Sequence, residues 1–255
     1  IVLAMPIAPI TLKGEKNLLK PDVEKKGVED ILAALTPEEK AELADDNMPL
    51  RHFRAEKGDT AKAIEKIKAT LAWRKEFGVA KIISCFDEDG DGEMRDILLK
   101  ENETGKIYVR GFDNEGRAAM YMRPHHENTH QELNNMRHLV YNLERAIACT
   151  GRKSGLEKIN LMIDYAGYRL RDMPPMSTAR HTLDILQKHY PERMFKAYVI
   201  NPPLVFRTFW TIIKPFLDPI TKEKIVFCHG AAGVTTIKKR YDLANVEPCV
   251  GGTAN

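Results

Sequence analysis

From Thr36 to Gly78 the apolar positions return every three or four residues. In the stretch TAKAIEKIKATLAWRKEFG, Ile64, Ile67, Leu71 and Phe77 fall near one helical face while lysines and glutamates occupy the other, so this segment packs on one side only. Thr36 followed by Pro37 and two glutamates is a helix start, Asp59 opens the next stretch and Gly78 stops it. The pattern predicts a small helical domain over residues 36–80. The acidic run DEDGDGEMRDIL that follows places Asp87, Asp89 and Asp91 at the first, third and fifth positions of a calcium loop. Its twelfth position is Leu98, where an EF-hand needs a bidentate Glu, so residues 81–104 read as a solvated acidic linker.

Beyond residue 105 the period changes. KIYVR and AAMYMR flank the turn-rich GFDNEG and predict a hairpin. Leu133, Met136, Val140, Leu143 and Ile147 then mark one face of a long helix, and INLMID is a short apolar run typical of a buried strand. A helix over about Ser177 to His189, the strand FKAYVIN, a helix over about Val205 to Phe216 and the strand KIVFC complete the alternation. Such alternation predicts an α/β domain over residues 105–255, built on a largely parallel sheet.

Composition narrows the partners. The 39 basic and 36 acidic residues are spread along the chain, without the basic stripe that a nucleic-acid binder needs, so DNA and RNA are not expected partners. Cys85, Cys149, Cys228 and Cys249 stand far apart with no C-x-x-C spacing, which suits free thiols in a reducing compartment and predicts a cytoplasmic location. Residues 1–35 read as an N-terminal extension. Their opening IVLAMPIAPI has two prolines, no basic flank and no initial Met, and reads as a boundary within a longer chain rather than a secretory leader.

One motif suggests catalysis. His126-Glu127-Asn128-Thr129-His130 matches H-E-x-x-H, in which two histidines on one helical face hold zinc and the Glu serves as general base. Thr129 and Glu132 have the spacing of a capping box directly before the apolar run. With Thr129 as N-cap, His126 falls outside the helix that His130 begins, the zinc geometry is lost, and no metal ligands are assigned.

Three long stretches carry a resemblance: LRHFRAEKGDTAKAIEKIKATLAWRKEFG from Leu50, HYPERMFKAYVINPPLVF from His189 and IIKPFLDPITKEKIVF from Ile212. With GFDNEGRAAMYMRP, LMIDYAGYRL and the terminal VEPCVGGT in the same order, they resemble the CRAL-TRIO lipid-binding family, in the form of the secretory-pathway phosphatidylinositol/phosphatidylcholine transfer proteins. The resemblance implies a non-enzymatic carrier. It would have a small helical domain, a mostly parallel sheet flooring an apolar lipid pocket, and a mobile helical gate. Phe206, Phe209, Trp210, Ile213 and Phe216 would form that gate, bracketed by Pro202, Pro203 and Pro215. Matching motif to motif implies Arg54, Glu192, Thr221 and Lys224 as the head-group residues for phosphatidylinositol.

Two departures stand out. Ile159 and Leu161 occupy positions where relatives that exchange phosphatidylcholine carry hydroxyls, so the second ligand is expected to be a sterol or another apolar lipid. His52 stands where an apolar residue is common, and Glu56 where a basic one is. The expected protein is a monomer that visits membrane surfaces transiently and carries a bound phospholipid in place of a cofactor. A lipid-sensing adaptor that presents phosphoinositide precursor to a kinase is the rival reading, and a zinc hydrolase using HENTH the remoter one.

Overall fold

The computed structural model describes residues 19–254, so the opening IVLAMPIAPI lies outside the described residues. The described residues divide into two compact units: 19–77 together with Gln187–Glu192, and Gly78–Leu186 together with 193–254.

Cap chemistry sets the helices of the first unit. α1 (Pro21–Ala34) begins on a proline and carries Asp22 and Glu24 in its first turn, where the helix dipole favours negative charge. α2 (Pro37–Ala41) begins at the helix start foreseen at Thr36, and a capping box closes it: the Thr36 hydroxyl accepts the Glu39 N–H at 3.2 Å, and the Glu39 carboxylate accepts the Thr36 N–H at 2.9 Å. α3 (Met48–Ala55) also has a proline in its first turn. α4 (Thr60–Phe77) follows Asp59, whose carboxylate accepts the Lys62 N–H at 3.1 Å, and Gly78 ends it with φ of 75°. Ile31, Leu35, Met48, Phe53, Ala63, Ile67 and Leu71 form the core between these helices. A Cβ on Gly27 would lie 2.3 Å from the Phe53 ring, so α1 reaches α3 only because residue 27 is glycine. Residues 21–34, expected in an extension, are therefore part of the helical unit.

The acidic linker expected over 81–104 is also corrected. Its residues form α5 (Val79–Ser84) and α6 (Gly92–Asn102) in the second unit. Asp91 caps α6 by accepting the Met94 N–H at 2.9 Å, while Met94 and Leu98 are buried. The acids cap and coat the helix, and the sparse apolar positions between them carry its packing.

β1 (Ile107–Phe112) and β2 (Ala118–Met122) form the expected antiparallel hairpin. α7 (Glu132–Ser154) leads to β3 (Ile159–Asp164), α8 (Met176–Asp184) to β4 (Met194–Ile200), and α9 (Leu204–Ile213) with α10 (Pro219–Lys224) to β5 (Ile225–Cys228), before α11 (Gly230–Lys238). The sheet order is β1-β2-β3-β4-β5, with every pair after the hairpin parallel. On one face Ala119, Tyr121, Met162, Tyr198 and Ile200 pack beneath Ile237, Tyr241, Val246 and Val250. On α7 the foreseen face is buried at Met136, Val140 and Leu143, but Leu133 lies in the first turn and is 51% exposed. No helix among the described residues is long and apolar enough to cross a membrane.

Candidate functional site

The apolar period of 205–216 becomes α9 and a 3-10 turn over Lys214–Phe216. Pro215 has no N–H for a continuing α-helix, so the last turn tightens. Phe206 and Ile213 are buried, Phe209 and Trp210 half-buried, and Phe216 is 43% exposed. The Phe206 ring centre lies 4.5 Å from that of Tyr165 and 5.8 Å from that of Phe209, and Trp210 meets Phe227 edge-on at 5.3 Å. Beneath them are Ile163, Val199 and Ile225, one from each of three adjacent parallel strands. Ile213 and Leu217 join Ala179 of α8 in a neighbouring cluster. Rings and branched side chains seat α9, and such contacts have no direction to satisfy. Outward it presents Leu204, 77% exposed, with Ile212, Arg207 and Lys214.

The floor continues along β3, where alternation sets Ile159 and Leu161 on the face of Ile163. Both are buried hydrocarbon. The turn that follows is built by Asp164, whose carboxylate accepts the Ala166 N–H at 2.9 Å, and by Gly167 at φ of 75°, where a Cβ would lie 2.9 Å from the His125 ring. The turn presents Tyr165 and Tyr168 to the α9 cluster. Burial raises both phenols, Tyr168 to about 12, so they meet the cluster as neutral rings. Sequence reasoning assigned these tyrosines no role; the signal available was an aromatic pair directly after a strand-ending D-x-x-G.

The four expected head-group residues fall in both units. Arg54 on α3 donates from Nε and Nη2 to the two carboxylate oxygens of Glu24 on α1, both at 2.7 Å, with the side chains 15% and 14% exposed. This is a fork-to-fork pair, the geometry a guanidinium uses for phosphate. Glu192 is half-buried in the 187–192 segment of the first unit and has φ of 57°, a left-handed backbone that a non-glycine residue keeps only when its surroundings enforce it. Thr221 and Lys224 belong to the second unit, on α10, which packs against β4 and β5. Asp218 accepts the Thr221 N–H at 2.8 Å and also its hydroxyl.

The HENTH loop takes a different form from the expected capping box. α7 starts at Glu132, its N-cap is Gln131 without a side-chain bond, and His130 has φ of 54°. Glu127 organises the loop instead, accepting the N–H groups of Asn128, Thr129 and His130 at 3.0, 2.9 and 3.0 Å and the Lys106 ammonium at 2.9 Å. Burial alone would raise this carboxyl, but the backbone donors and Lys106 prevail and hold it at about 2. The Thr129 hydroxyl donates to Glu101, and Glu132 accepts from Thr178 and pairs with His181. His126 closes a 3-10 turn and His130 lies in the loop, so the two do not share a helical face.

Comparison with known proteins follows the same outline. The family profile for the CRAL/TRIO domain matches residues 102–252. The phosphatidylinositol transfer protein PDR17 of Saccharomyces cerevisiae is 40% identical over 183 residues, which cover 70% of this chain and 51% of PDR17, so the match spans about half the length of that relative. The CRAL-TRIO domain-containing protein YKL091C of the same yeast is 30% identical, covering 84% of this chain and 72% of its own. The SEC14 cytosolic factor of Kluyveromyces lactis is 31% identical, with 83% and 72% covered. Among solved structures, the crystal structure of Sfh5 superposes with a TM-score of 0.59 at 18% identity, covering 82% of this chain and 81% of that one, a likeness of fold.

Proposed function

Because this chain belongs to the CRAL-TRIO family, we propose that it is a non-enzymatic carrier that binds phosphatidylinositol and exchanges it for a second lipid at membrane surfaces. The observation that supports this most is the seating of α9, an aromatic helix between prolines laid on the apolar floor of a parallel sheet. Relatives named as phosphatidylinositol transfer proteins favour the same reading.

The magnitude explains why a carrier is needed. Each buried methylene is worth about 0.8 kcal/mol, so two acyl chains totalling about thirty carbons resist entering water by on the order of 20–25 kcal/mol. Enclosing the chains in protein removes most of that cost, and the task makes or breaks no covalent bond. Acyl chains would replace the ring contacts of α9, and its outer Leu204 and Ile212 with Arg207 and Lys214 suit contact with an anionic lipid surface. Glu192 would accept from inositol hydroxyls, while Thr221 and Lys224 would meet the phosphate. Arg54 is held by the Glu24 carboxylate and would have to exchange it to take a phosphate. The hydrocarbon at Ile159 and Leu161 favours a second ligand more apolar than phosphatidylcholine. The carrier would act as a monomer in the cytoplasm, with bound lipid and no cofactor.

Movement of labelled phosphatidylinositol between vesicles tests this. Rapid transfer is expected, largely abolished in Glu192→Ala or Lys224→Ala. Transfer no faster than a protein-free blank would overturn the proposal, and tight binding without transfer would favour the sensing adaptor. Mass spectrometry of lipids extracted after incubation with a mixed membrane would name the second ligand.

A further inference from the structure

His52 departs from the usual apolar residue, and the structure gives the departure a use. His52 is 2% exposed on α3, with Nδ1 2.9 Å from the Met48 carbonyl and Nε2 3.3 Å from the Thr70 hydroxyl on α4. A carbonyl only accepts, so the neutral imidazole carries its proton on Nδ1 and offers the Nε2 lone pair to Thr70. The same hydroxyl lies 3.2 Å from His189 Nδ1, from which it can accept, and 3.2 Å from the Lys188 carbonyl, so its single proton serves either that carbonyl or His52 Nε2, one at a time. Thr70 thus joins α3 and α4 to the 187–192 segment. The Trp73 ring lies flat on His189, centroids 4.0 Å apart and planes 2° from parallel, and meets Tyr190 edge-on. Glu192 follows after buried Tyr190 and Pro191, whose ring fixes its own φ, and it holds a left-handed backbone.

We propose that the His52–Thr70–His189 chain, pressed by Trp73, is a positioning device that sets the Glu192 carboxylate for inositol hydroxyls, making His52 and Thr70 specificity-determining residues. This rests on the head-group reading above and deepens it. A hydroxyl within hydrogen-bond distance of two partners on the segment and one on α3 restricts where the segment can lie, whereas an apolar contact at position 70 would restrict it less. Thr70 and His52 act through the backbone of 187–192 and touch no lipid in this scheme.

The test compares vesicles bearing phosphatidylinositol with vesicles bearing phosphatidic acid of the same acyl chains, which keeps the phosphate and lacks inositol, using the full chain. Thr70→Val is expected to lower the preference for phosphatidylinositol about fivefold, the weight of one hydrogen bond. Thr70→Ser should retain the preference. Thr70→Val combined with Glu192→Ala should lose no more than Glu192→Ala alone, as two changes acting on one group do. Hydrogen exchange at the 187–192 amides should quicken in Thr70→Val and not in Thr70→Ser. Unchanged exchange in Thr70→Val, or a wild-type preference where Glu192→Ala has lost it, would overturn the positioning role. A wild-type preference in Glu192→Ala itself would remove the head-group reading, and the specificity claim with it, whatever the amides show.

Discussion

α3 and α9 are helices of similar length, eight and ten residues, held by opposite kinds of contact. On α3 the buried polar side chains have directional partners: Arg51 the Asp45 carboxylate at 2.8 Å, His52 the Met48 carbonyl and Thr70, Arg54 both oxygens of Glu24. On α9 the buried residues meet rings and branched chains, contacts far less directional than a hydrogen bond. A hydrogen bond that slips loses most of its worth and strands a polar group, whereas an apolar side chain trades one hydrocarbon neighbour for another at little cost. The first arrangement suits a fixed scaffold. The second suits the proposed gate, whose neighbours would be exchanged for lipid.

Breaking the directional side should cost most. Arg54→Ala leaves Glu24 largely buried without its cation and should destabilise the chain by about 3 kcal/mol in urea unfolding. Glu24→Arg joined to Arg54→Glu should recover much of it, and no recovery would mean that the pair is incidental. Phe206→Ala on α9 should cost about 2 kcal/mol, below the 3–5 typical of Phe deletions in fixed cores, because Phe209 and Trp210 can close the gap. A loss at the upper end would make α9 as rigid as α3.

The pH dependence sharpens the contrast. Burial depresses His52 from 6.5 to about 4, so the folded state resists a proton that the unfolded chain accepts. Its contribution is complete above pH 6.5 and is lost as pH falls towards 4. His138, likewise held at about 4 by burial, adds a parallel loss. His52→Leu should therefore make the stability slope across that window shallower; an unchanged slope would contradict a buried neutral imidazole. The smallest effect on stability belongs to Leu204→Ser, within about 0.5 kcal/mol because the side chain faces solvent, yet this change should slow transfer between vesicles. Equal transfer would show that the outer face of α9 does not touch the membrane.

Elements with one dominant local signal were legible in the chain. Thr36 with Glu39, Gly78, the GFDNEG hairpin and the run INLMID each act within a few residues, and each appears where expected. What escaped depends on distant partners. Asp91 looked like solvated acid because nothing nearby shows that Met94 and Leu98 find a core. Thr129 matched a capping box, but the buried ammonium of Lys106 draws Glu127 and Glu101 together and gives Thr129 another acceptor. Arg54 was legible as a charge and not as half of a pair, since Glu24 lies thirty residues upstream. Fold was thus readable from period and caps, whereas the state of each site residue was not.

The helical unit counts Gln187–Glu192 among its parts, although the four helices among its described residues end at Phe77. During synthesis at about 5–20 residues per second, those helices emerge roughly ten seconds before the strip that carries His189 onto Trp73. Until then Trp73 has only Phe77 to stack on and the Thr70 hydroxyl only His52 to bond, so the newborn helical unit is complete only once the strip is made. For the same reason no single cut in the gene separates the two units intact: ending the chain at residue 77 removes His189, and beginning it at 78 leaves that strip without its seat.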